Sequence, residues 1–86
     1  MAKNILYFSD ICPDTGPMVA ELRRLGLAYE EANISSSMAH LRGFLRLRDQ
    51  NRAFAEVKAN GRIGIPALVL NDDLVILDWQ KVKDFV

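Results

Sequence analysis

The chain has 86 residues, half of them apolar, with eleven basic and eleven acidic side chains. That length makes one domain, 1–86, with an economical core, because so short a chain buries only about 60–70% of the surface it exposes unfolded. The cancelling charges leave no global field to recruit nucleic acid or an anionic membrane, and no apolar run approaches the ~20 residues that span a bilayer. Ile5 to Phe8 is an apolar run of strand length within a strand expected from about Asn4 to Phe8, and Met1-Ala2-Lys3-Asn4 passes into it with no cleavable leader expected. Met18, Val19, Leu22 and Leu25 recur at helical spacing and predict a helix from Thr15 or Gly16 to Leu25, stopped by Gly26. A second strand is expected over Ala28 to Ile34.

Ser35-Ser36-Ser37 supplies cap oxygens for a helix whose inward positions are Met38, Leu41, Phe44 or Leu45, and Leu47. Gly43 within it costs roughly 1 kcal/mol relative to alanine, which marks a close contact or a weak point. Arg52 to Lys58 reads as a short helical piece that turns Phe54 and Val57 inward and ends at Asn60-Gly61. Ile63 to Leu70 is a strand interrupted at Pro66; Asn71-Asp72-Asp73 is turn chemistry, and Leu74 to Leu77 pairs back as a hairpin. Asp78 caps a last short helix with Trp79, Val82 and Phe85 facing inward. The order βαβαββα gives a parallel first pair with a right-handed crossover and an antiparallel last pair. The expected fold class is α/β, a four-stranded mixed sheet flanked by helices.

Cys12, the chain's one cysteine, falls between the first strand and the first helix. Ligands in α/β folds sit at the C-terminal ends of strands. A helix N-terminus, with free N–H groups and roughly half a positive charge, favours a sulfur held there as thiolate, the nucleophilic form. The dipole is worth about 0.3–1 kcal/mol to that charge. A carboxylate about 7 Å away opposes it by roughly 0.6 kcal/mol in water-like surroundings and about 2.4 at an effective dielectric of 20. Asp10 and Asp14 are the candidates, so the two effects are comparable. Thr15 is a helix cap whose hydroxyl can also donate to the sulfur.

Two motifs, Tyr7-Phe8-Ser9-Asp10-Ile11-Cys12-Pro13-Asp14-Thr15 and Gly61-Arg62-Ile63-Gly64-Ile65-Pro66, lie about fifty residues apart. Together they resemble the strand leading into Cys-Pro-x-Cys, and the Gly-Arg-x-x-Val-Pro segment, of a glutaredoxin-type member of the thioredoxin superfamily. The resemblance covers Ile5 to Trp79 and implies a thioredoxin fold with Cys12 as the catalytic thiol. It also implies support from Pro13, Asp14 and Thr15, and a cis Ile65–Pro66 bond opposite Cys12. Such a bond turns the Ile65 backbone outward, where an extended thiol substrate can pair with it. Arg62, Ile65, Pro66 and Asp78 are the implied substrate-binding residues, Arg62 as the cation for a substrate carboxylate and Asp78 as a helix cap first.

The chain departs from that pattern in three places. Thr15 replaces the second cysteine, so no disulfide forms within the motif. The loop before Cys12 is one residue short, with Asp10 where a basic residue is common. No Gly-Gly precedes the last helix. The expected activity is thiol–disulfide exchange through one cysteine on mixed disulfides, with no bound cofactor or metal and with glutathione or another small thiol as co-substrate. Thiolated or disulfide-containing proteins are the expected partners, and a monomer in a reducing cytoplasm is expected. The alternative is a redox-degenerate binding module for a thiol, a protein partner or a bridged iron–sulfur cluster, though the Cys-Gly-Phe-Ser of cluster-binding relatives is absent. His40 and the series Arg46, Arg48, Arg52, Lys58 and Arg62 read as solvated positions.

Overall fold

A computed structural model describes residues 3–71 and 74–86. Its elements are β1 (Ile5–Phe8), α1 (Thr15–Arg24), β2 (Glu30–Asn33), α2 (Met38–Gln50), α3 (Ala55–Ala59), β3 (Ala67–Leu70) and β4 (Leu74–Ile76). A 3-10 turn, Arg52–Phe54, precedes α3, and a 3-10 segment, Trp79–Asp84, closes the chain. The strands form one mixed sheet in the order β2-β1-β3-β4, with β1 parallel to β2 and antiparallel to β3, and β3 antiparallel to β4. This order and these directions are those of a thioredoxin-like fold. β3 begins directly after Pro66, which lacks the N–H a ladder needs. Asp72 and Asp73 of the expected turn lie outside the described residues. Among the described residues no helix is long and apolar enough to cross a membrane.

Strand alternation divides the core in two. Leu6, Leu68, Leu70 and Ile76 point to one face and join Met18 and Leu22 of α1 and Val82. Tyr7, Ala67, Val75 and Leu77 point to the other, against Phe44 and Leu47 of α2, Phe54, and Val57 of α3. There the Phe44 and Phe54 rings meet edge to face, with centroids 5.8 Å apart and planes at 80°, an arrangement that adds about 0.5–1.5 kcal/mol to the burial itself.

The chain ends α1 and α3 in the same way. Gly26 and Gly61 adopt φ of 67° and 68°. The N–H groups of Leu27 and Arg62 reach back five residues, to Leu22 and Val57 carbonyls, at 3.0 and 2.8 Å. The N-terminal end of α2 is capped as expected, the Ser37 hydroxyl accepting from the His40 N–H. Asp78 caps the closing segment by accepting from the Gln80 N–H at 2.9 Å.

Four expectations about packing need correction, the first being Met38, which is read as an inward position of α2 and is 66% exposed at its first turn. Trp79 and Phe85 are not core: they are 37% and 53% exposed, and Val82 alone fills the inward place. A short segment at the chain end presents one position per turn to α1, and Val82 occupies it. His40 is half-buried, with its Nδ1 covered and unpaired among the described residues. It lies four residues before buried Phe44, on the inner flank of α2.

Glu21 is buried on α1 and receives two hydrogen bonds from Arg24, at 2.6 and 2.9 Å. These bonds hold its carboxyl below the ordinary 4.5, against the burial that pushes it up; the charges of Arg24 and Lys83 add to the lowering. A carboxyl with a lowered folded pKa contributes stability that is complete above the unfolded value and lost as pH falls through the folded one. Glu21→Gln is therefore less stable than wild type at neutral pH, and urea midpoints of the two converge as pH drops below 4.5. Two glycines separate in sign. A Cβ on Gly64, whose φ is 98°, would stand 2.8 Å from the buried Phe54 ring, whereas one on Gly43 would meet the Tyr7 hydroxyl at an ordinary 3.5 Å. In urea unfolding, Gly64→Ala costs about 2–4 kcal/mol, and Gly43→Ala stabilises by about 0.5–1 kcal/mol.

Candidate functional site

Ser9, buried at the end of β1, organises the turn that presents Cys12. Its carbonyl accepts the Cys12 N–H at 3.1 Å and the Thr15 hydroxyl at 3.0 Å. Its own hydroxyl pairs with that of Ser35, in the turn that follows β2, and accepts from the Ile11 N–H at 3.3 Å. The Cys12 carbonyl in turn accepts the Thr15 N–H at 3.2 Å. Two consecutive tight turns thus carry the chain from β1 into α1, and the half-buried Cys12 sits between them.

The sequence expectation about Thr15 changes here. Its hydroxyl is given to the Ser9 carbonyl, so it braces the turn that bears the sulfur. Asp14 holds the N-cap position of α1 with no side-chain cap bond, leaving an exposed carboxylate at the helix head. There it competes with a thiolate for the same partial positive charge.

Across from this turn, Ile65–Pro66 is a cis peptide, as the resemblance implies. Cys12 Sγ lies 3.9 Å from the Ile65 carbonyl oxygen. A groove of about 1150 Å³ lies beside this contact and is lined by Cys12, Pro13, Asp14, Arg62, Ile65, Pro66 and Asp78, among others. Seven of the eight predicted site residues therefore share one groove, and Thr15 stands behind it. Asp78 has one carboxylate oxygen engaged as a helix cap.

The sequence reading missed five contributors. Trp79 and Phe85 wall the groove together with Ile11, which is 85% exposed. Ser9 and Arg48 act on the backbone. Arg48 donates from Nε to the Ile63 carbonyl at 2.8 Å and from Nη2 to the Arg62 carbonyl at 2.6 Å. The available signal was position: Arg48 lies four residues after Phe44, on the inner flank of α2. Ser9 lies three residues before Cys12, the spacing of a tight turn.

Fold and groove together define a small α/β protein with one thiol at a helix head. An uncharacterized protein of Haemophilus influenzae is 51% identical over 83 residues, which cover 96% of each chain. The chain belongs to one family with that protein. No family model matches the chain, and no solved structure matches it.

The Ser9–Ser35 pair is the cross-link between β1, β2 and the thiol-bearing turn. Ser9→Ala lowers stability by about 1–2 kcal/mol. Urea midpoints of Ser9→Ala, Ser35→Ala and the double variant yield a coupling of about 0.5–1.5 kcal/mol.

Proposed function

We propose that the chain is a glutaredoxin-like thiol–disulfide oxidoreductase that works through Cys12 alone on mixed disulfides between a protein or other thiol and a small thiol. The observation that carries this reading is the half-buried Cys12 sulfur in an open groove, at the head of α1 and 3.9 Å from the Ile65 carbonyl. The Cys12 thiolate attacks the small-thiol sulfur of the mixed disulfide. A bond forms between Cys12 and that sulfur, the original disulfide breaks, and the released thiolate takes a proton. A second small thiol, as thiolate, then attacks the adduct, leaves as the small disulfide and restores Cys12. The external thiol is the reductant, supplying both electrons. Thr15 in place of a second cysteine makes this external step obligatory.

In this reading the Ile65 backbone pairs with an extended substrate beside the sulfur. Arg62, exposed on the groove, meets a substrate carboxylate. Asp14, Glu56 and Asp78 line the same groove with Arg62 and Lys81, so both charge signs face a bound small thiol. A monomer in a reducing cytoplasm fits single-thiol chemistry. A second reading, a binding module for a protein partner without turnover, is favoured by the exposed apolar rim of Ile11, Ile63 and Phe85.

Turnover of a glutathione mixed disulfide, coupled to glutathione reductase, tests the proposal. Cys12→Ser is expected to give the uncatalysed rate, and equal rates for wild type and variant overturn the reading. A mass adduct on Cys12 that forms in wild type without turnover supports the binding module.

A further inference from the structure

Arg48 stands apart from the chain's other cations. Of the eleven lysine and arginine side chains, it is the one that is not exposed among the described residues. Its guanidinium faces no carboxylate at ion-pair distance among the described residues; it is spent on two consecutive backbone carbonyls. Those carbonyls belong to the segment 61–65, which leaves α3 at Gly61 and enters β3 through Pro66.

We propose that Arg48 is a positioning residue of the site: its guanidinium, held across the Arg62 and Ile63 carbonyls, fixes how the Ile65 backbone and the Arg62 side chain stand toward the Cys12 sulfur. The use of that placement rests on the thiol–disulfide reading above. The segment is tied at its entrance by the Arg62 N–H to the Val57 carbonyl at 2.8 Å, and at its exit by β3 in the middle of the sheet. Between those ties Gly64 lies against the Phe54 ring, and Arg48 provides the polar hold. Its base is firm, because Phe44, one turn earlier on α2, is fully buried between the Tyr7 and Phe54 rings.

The chemistry requires arginine. A guanidinium is a planar fork whose Nε–H and Nη–H lie along one edge, so it reaches two neighbouring oxygens at once. A lysine ammonium is a point donor on a flexible stem and cannot hold both carbonyls in one plane. Because one of the two belongs to Arg62, the same contact fixes the root of the side chain that faces a substrate carboxylate. Arg48 touches no substrate itself; it sets where two groups that do so begin.

Wild type, Arg48→Lys and Arg48→Ala are compared by amide exchange at Arg62, by kcat and KM for a glutathione mixed disulfide, and by rescue of Arg48→Ala with ethylguanidinium. Arg62 exchange is expected to accelerate about tenfold in both variants. KM is expected to rise about tenfold with kcat within about twofold. Ethylguanidinium is expected to lower KM in Arg48→Ala and to leave Arg48→Lys unchanged. Unchanged Arg62 exchange in either folded variant overturns the inference, as does an unchanged KM in a folded, active Arg48→Ala, or full function in Arg48→Lys. Accelerated exchange in both variants beside a wild type that shows no turnover supports the brace and removes the thiol–disulfide reading alone.

Discussion

The antiparallel register of β1 and β3 decides what the rest of the molecule can do. Ile5 opposes Val69, Leu6 opposes Leu68 and Tyr7 opposes Ala67, so the end of one strand lies beside the beginning of the other. The chain leaving β1 and the chain arriving at β3 therefore meet, although Cys12 and Ile65 are 53 positions apart. The register is enforced by packing on both faces. A slip of one residue would carry Leu6 and Leu68 away from Met18 and Leu22 and put aromatic Tyr7 in their place.

Strand register brings the two segments together only roughly, and two polar residues refine the meeting from opposite sides. Ser9 ties down the thiol-bearing turn by accepting at its carbonyl from the Cys12 N–H and the Thr15 hydroxyl. Arg48 ties down the facing segment through the carbonyls of Arg62 and Ile63. Each acts on main chain, so neither needs to appear in the groove to shape it. Electrostatics at the sulfur is more evenly balanced: the head of α1 favours a negative charge, and Asp14 already brings one there.

Much of this architecture was legible in the residues. Apolar runs placed β1, β3 and β4, helical spacing placed α1 and α2, Gly26 stopped α1 and Ser37 started α2, because each of these signals is local; β2 carries Glu30 and Glu31 and lies inside the expected strand 28–34 without an apolar run to mark it. The groove residues gathered as expected because two motifs mark the two ends that β1 and β3 bring together. What escaped was decided by partners distant in sequence. Arg48 looked like one more solvated cation, since nothing near it shows that carbonyls 14 and 15 positions later would seek it. Thr15 is both near Cys12 and near Ser9, and only the folded turn shows that its hydroxyl donates its hydrogen bond to the Ser9 carbonyl. Trp79 and Phe85 share Val82's spacing, yet the single inward place of a short terminal segment went to Val82.

That outward displacement of Trp79 has a practical side. It is the chain's one tryptophan, and about a third of its surface meets water on the groove wall. Indole emission moves to shorter wavelength as water leaves the ring, so the protein carries an intrinsic optical signal for whatever fills the cleft. A molecule lodging there without touching sulfur would change that colour and still leave the thiol open to alkylation, separating occupancy from covalent capture in a single cuvette.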